Sequence, residues 1–229
     1  MSGIVGSYFN TRGSGVVAKL GADGQVFTST GAGLSQGFEA AAGGGSWNLI
    51  KTLTSDGSDS DFQFVNGADD VVFDGTYLVY QFIWQAIHPE TDTAVFGFQV
   101  SDDAGISYGI AATQTHYRFY NKDAAPNNNN IGGGDPGDAG STDELKFNSH
   151  PGADADQSQS GWLTFYNPAD TTFSKMWEGA SPNYTSNDYI NHHLFAGIII
   201  PTAAVDAIRF QFSTGEIQAG TVSMYGLTT

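Results

Sequence analysis

At 229 residues the chain is long enough for one large all-β domain, and 30 glycines, 13% aromatic and only 14% charged residues describe a β-rich, turn-rich protein with few helix-forming segments. Twenty-four acidic residues against eight basic ones give a net charge of −16, which argues against nucleic acid as a partner because phosphate binding needs Lys and Arg. There is no cysteine and no apolar run approaching the ~18 residues of a membrane span, so neither disulfides nor membrane insertion are expected.

Residues 1–45 are Gly-rich and carry too few large apolar groups for a core of their own. They read either as a disordered tail or as an extended attachment arm that orders on another subunit, with the short apolar patches Val16-Val17, Val26-Phe27 and Leu34 as its contacts. The first residues lack the basic start and apolar run of a secretory signal, so assembly in a cytoplasm is the expectation. Gly43-Gly44-Gly45 marks the boundary, and 46–229 is the expected folded domain.

From Trp47 the composition shifts to strands. Trp47 to Leu53 reads as the first, followed by the acidic loop Ser55 to Asp61 and a strand opening at Phe62 and Phe64. Tyr77 to Ile87 is apolar on both faces, as in the centre of a sandwich, and Pro89 closes it. Ala94 to Val100 and His116 to Tyr120 are further strands. Asn121 to Ser160, rich in Asn, Gly, Asp and Ser, reads as an exposed excursion. Gly161 to Pro168 and Thr172 to Glu178 form a strand pair. His192 to Ile200 has an apolar run that suggests burial on both faces, and Ala203 to Val205 a helical turn. Ile208, Phe210 and Phe212 alternate with Arg209 and Gln211, and after turn chemistry at Gly215 the alternation resumes at Val222 and Met224, which predicts a terminal hairpin. This pattern predicts an antiparallel two-sheet β-sandwich, jelly-roll-like, behind a Gly-rich arm.

Two stretches carry a resemblance. Gly21 to Gly33, reading GADGQVFTSTGAG, is similar to a linker segment of bacteriophage tail-fibre and other virion proteins. The order Gly45-x-Trp47-x-Leu49-Ile50, then Tyr77, Tyr80, Phe82, Ile87 and Pro89, Phe98 to Tyr108, Gly161, Leu163, Asn167 and Pro168, and Ile208 to Leu227 resembles uncharacterised structural proteins of marine bacteriophages. Where that family's closing segment reads Gly-Asn-Ile, this chain has Gly215-Glu216-Ile217. The resemblance implies membership of a virion, other capsid or tail proteins as partners, and a homo-oligomer, a trimer by analogy. It implies no catalytic site.

The residues themselves give little chemistry. His192 and His193 are adjacent and must point to opposite faces of a strand, so one ion can hardly take both. His88 and His150 each precede proline as turn residues, and His116 opens an aromatic strand. No Gly-x-Ser-x-Gly elbow stands in a strand-turn-helix setting. No enzyme, catalytic residue or cofactor is expected. Asp56, Asp59 and Asp61, or Asp154 and Asp156, offer oxygens for Ca²⁺ but lack a distal bidentate Glu, and the plainer reading is a solvated turn. Of the aromatic residues that could stack on a host glycan, Trp84 and Trp162 read as core. Tyr184 and Tyr189, flanked by Asn183, Asn187, Asp188 and Asn191, are the exposed candidates.

Overall fold

The computed structural model describes residues 25–29, 36–40, 46–123, 130–133 and 140–228. The chain divides into two units, Met1–Gly44 and Gly45–Thr229. In the first, β1 (Gln25–Ser29) and β2 (Gln36–Ala40) pair antiparallel with Phe27 opposite Phe38. Val26 and Phe27 of the expected arm therefore lie on β1, whereas Val16, Val17 and Leu34 fall outside the described residues.

The second unit is a sandwich of two antiparallel sheets, with no helix among the described residues. Its strands are β3 (Trp47–Thr54), β4 (Asp61–Val65), β5 (Val79–Pro89), β6 (Phe96–Ser101), β7 (Ala112–Lys122), β8 (Asn130–Gly133), β9 (Leu145–Lys146), β10 (Gln159–Tyr166), β11 (Lys175–Tyr184), β12 (Tyr189–Ile199), β13 (Ala207–Phe212) and β14 (Ile217–Leu227). One sheet runs β3-β14-β5-β10-β11-β12-β7-β8 and the other β4-β13-β6-β9. The first four strands of the large sheet facing the small one give the strand order of a jelly roll, in which the chain passes from sheet to sheet. The pairs β11-β12 and β7-β8 extend the large sheet to eight strands.

The core between the sheets is aromatic. Phe64 and Phe210 of the small sheet meet Phe82 of the large one at ring separations of 5.5 and 5.3 Å, and Phe98 stands edge-on to Trp177 at 5.0 Å. Such pairs contribute about 0.5–1.5 kcal/mol beyond the area they bury. Glycine opposite an aromatic residue recurs across the large sheet: Gly161 faces Trp84, Gly179 faces Phe195, and Gly197 faces Trp177. Each ring lies over its glycine so closely that an added Cβ would come within 2.4–2.5 Å of it. The missing side chain is what lets the indole or phenyl ring lie flat on the sheet.

Several expectations need correction. Residues 206–227 are two strands joined by a turn, with Gly215 at φ +73°, yet they do not pair with each other. β13 lies between β4 and β6, and β14 between β3 and β5, because the turn crosses from sheet to sheet. Ala203 to Val205 is not helical. The stretch 121–160 is no exposed excursion throughout, since it contains β8 and β9 and buries Phe147 completely, stacked 4.5 Å from Trp84. Trp162 is not core but 37% exposed, and 192–200 is buried on one face only.

Candidate functional site

Alternation on β10, β11, β12 and β7 sends one set of side chains inward and the other to the outer face of the large sheet. The outward set is largely apolar. Trp162 stands opposite Ala180, Ala180 opposite Leu194, and Leu194 opposite Tyr117, a row that crosses four strands. Met176 faces Ile198 in a second row, and His192, Phe119 and Ile131 form a third. Tyr117 is 58%, Met176 63% and Ile131 74% exposed. A groove of about 870 Å³ runs beside Phe173, Met176 and Ile198. The one carboxylate projecting from these four strands on this face is Glu178, which accepts a 2.6 Å hydrogen bond from the Tyr166 hydroxyl and pushes that phenol up to about 12.

Along part of the same strands the inward set turns polar, with Gln114, His116, Ser181, Asn183, Asn191 and His193 all buried. His116 Nε2 and His193 Nδ1 are 2.6 Å apart and both rings are buried. Burial first, and the His116 ring beside it second, hold His193 well below the ordinary imidazole range, so it stays neutral. The segment from Phe147 to Gln157 covers this layer and is pinned by side-chain amides. Asn183 and Asn191 donate to the Ser149 carbonyl, Gln157 donates to the Thr185 carbonyl at 3.0 Å, and Asn148 donates to Gln159.

At the rim of this layer is a cleft of about 220 Å³ lined by Arg118, Tyr120, His150, Thr185, Asn187, Tyr189 and Asn191. The Arg118 guanidinium lies 4.7 Å over the Tyr120 ring and donates from Nη1 to Ser149 Oγ at 3.0 Å. Tyr189 stands edge-on to Tyr120 at 6.0 Å, and the Lys122 ammonium sits 5.7 Å over the Tyr189 ring. Among the described residues no carboxylate lines the cleft.

The structure does not bring Tyr184 and Tyr189 into one platform. Tyr184 is in register with Ile190, the neighbour of Tyr189, so the two rings belong to opposite faces of the sheet. The Tyr184 hydroxyl donates to Asp123 Oδ2 at 2.5 Å. His192 and His193 are divided in the same way, His192 outward and exposed, His193 inward and buried, as alternation requires. His88 Nδ1 meets the Gln157 carbonyl at 2.7 Å.

The acidic loop is held by its own hydrogen bonds. Asp56 accepts from Ser58 N and Oγ, Asp59 accepts from Asp56 N, and Asp61 turns toward Gln63 and Arg209. Among the described residues no three His, Asp or Glu side chains gather to hold an ion.

Compared with known families, curated proteins and solved structures, the chain matches none. Sequence reasoning missed both the outer face and most of the cleft. The signal for the face was present at 192–200, where Leu194 and Ile198 on one parity and Phe195 and Ile199 on the other are all apolar. Arg118 shares a strand face with Tyr120 by alternation, but gave no signal of a cleft, because its partner Ser149 and the β12 residues are placed by the fold alone.

Proposed function

We propose that this chain is a non-enzymatic structural subunit of a bacteriophage virion that assembles through the outer face of its large sheet, decorating the capsid or forming a fibre tip. The viral setting comes from the sequence resemblance. The observation that carries the assembly role is the apolar face itself. An aromatic side chain carries about 150–250 Å², so the dozen or so exposed large side chains here, at roughly half exposure, leave on the order of 1,000 Å² of apolar surface. That exceeds the ~300–600 Å² largest patch of a typical monomer and suffices for the ~800 Å² per partner of a standard interface.

The occupant is a second copy of this chain. A protein of net charge −16 repels itself over most of its surface, and this face, where Glu178 is the one acid on the four strands and Asp170 lines the groove beside them, is where two copies can approach at least cost. A trimer is the expected closed form by analogy with other virion proteins. Light scattering on the full chain should show an oligomer, and Leu194→Asp or Tyr117→Asp should reduce it to a monomer with thermal unfolding of the monomer unchanged. A monomeric wild type at high micromolar concentration, or Asp variants that keep their mass, would refute the reading.

A further inference from the structure

The cleft at the far end of the inner face is chemically unlike the rest of the molecule. The chain carries three acidic residues for every basic one, 24 against eight, yet the described cleft lining has an arginine, a histidine and no carboxylate, with Lys122 at its rim. Arg118 makes no ion pair among the described residues; Arg209, by contrast, has Asp61. A guanidinium with no carboxylate partner among the described residues, its plane set by the Tyr120 ring and Ser149 Oγ, is prepared for an anion from outside. The remaining lining consists of hydroxyl, amide and phenol groups from Thr185, Asn187, Asn191 and Tyr189. These pair with hydroxyls and stack on the C–H face of a ring, which suits a saccharide and not a bare ion. The volume of about 220 Å³ lies below the ~300–1,000 Å³ of drug-sized sites and admits a single sugar ring.

We infer that this cleft binds one carboxylate-bearing sugar unit of an acidic glycan, with Arg118 on the carboxylate, Tyr189 against the ring, and Asn187 and Asn191 on its hydroxyls. The site is independent of the assembly face, which lies on the other side of the same strands, so either can fail without the other.

The test is saturation-transfer NMR and calorimetry on the full chain, with glucuronic acid and N-acetylneuraminic acid as probes and glucose, acetate and inorganic phosphate as controls. Binding of at least one acidic sugar in the millimolar range is expected, with glucose and acetate each at least tenfold weaker, about 1.4 kcal/mol. Arg118→Gln and Tyr189→Ala should each weaken it by tenfold or more, while Tyr184→Ala on the opposite face should leave it unchanged. Asn187→Ala serves as a milder lining variant should Arg118→Gln fail to fold, with a several-fold loss expected. Binding of neither sugar, equal binding of acetate or phosphate, or a loss with Tyr184→Ala equal to that with Tyr189→Ala overturns the inference.

Discussion

Glu144 offers a sharp test of how the small sheet is built. It precedes edge strand β9, beside Gly97 on β6, where its Cγ lies 2.7 Å from the position a Cβ would take, and its Oε1 is buried with no hydrogen-bond partner. Burial pushes its carboxyl up to about 8, with Arg209 and Lys146 opposing the shift only in part. The folded state therefore binds a proton that the unfolded chain, with a carboxyl near 4.5, has already released. Stability from this group is fully present below pH 4.5 and is lost as pH rises toward and through 8. At 1.36 kcal/mol per unit, the loss between pH 6 and pH 9 is on the order of 3 kcal/mol. Glu144→Gln has no proton to lose. Its thermal midpoint should exceed that of wild type by about 6–12 °C more at pH 9 than at pH 6, given ~2–4 °C per kcal/mol for a domain of this size. Parallel pH profiles for the two proteins by differential scanning calorimetry would mean that Glu144 is solvated and the β6-β9 edge open.

Other outcomes follow from the same packing. Gly197→Ala places a Cβ 2.4 Å from both the Trp177 ring and the Thr113 carbonyl, so it should cost about 1–3 kcal/mol in urea unfolding and shift tryptophan emission. Phe147→Ala removes a ring stacked on Trp84 and Phe98 and should cost about 3–5 kcal/mol, far more than an exposed excursion would allow. The buried neutral His193 must take up a proton on acid unfolding. Its folded value lies below the unfolded ~6.5, so stability should fall as pH drops under 6.5 by up to about 1.4 kcal/mol per unit. His193→Gln should flatten that slope between pH 6.5 and 5, and an unchanged slope would place the proton elsewhere.

The strand content and the two-sheet class were legible because alternation at Ile208, Phe210 and Phe212, or at Phe62 and Phe64, is a local property of the chain. Which strands pair was not. β13 and β14 are joined by a short turn in the manner of a hairpin, and only the competition of β4, β6, β3 and β5 for their edges separates them. The run at 192–200 shows a second limit: apolar residues on both parities state that both faces avoid water, without saying whether the second face is covered by this chain or another. Phe147 to Gln159 hid a core ring and a layer of amides within a composition of Gly, Asp and Ser, since a side chain such as Asn148 or Gln157 looks solvated until its partners are known. Tyr189 could be singled out by its Asn-rich setting, but Arg118, seventy-one positions earlier in the chain, reaches the same cleft only because β7 lies beside β12.

The closing of the jelly roll also sets the order of events at the ribosome. β3 pairs along its length with β14, and β4 with β13, so the earliest strands of the sandwich have no partner until residues 207–227 have emerged. Until then β5, with Phe82 and Trp84, waits with one edge open. The nascent sandwich cannot close piece by piece, and a stretch of exposed aromatic strand must persist until β13 and β14 have emerged. Chaperone capture during translation, and a loss of stability on removing β14, are the outcomes that strand order predicts.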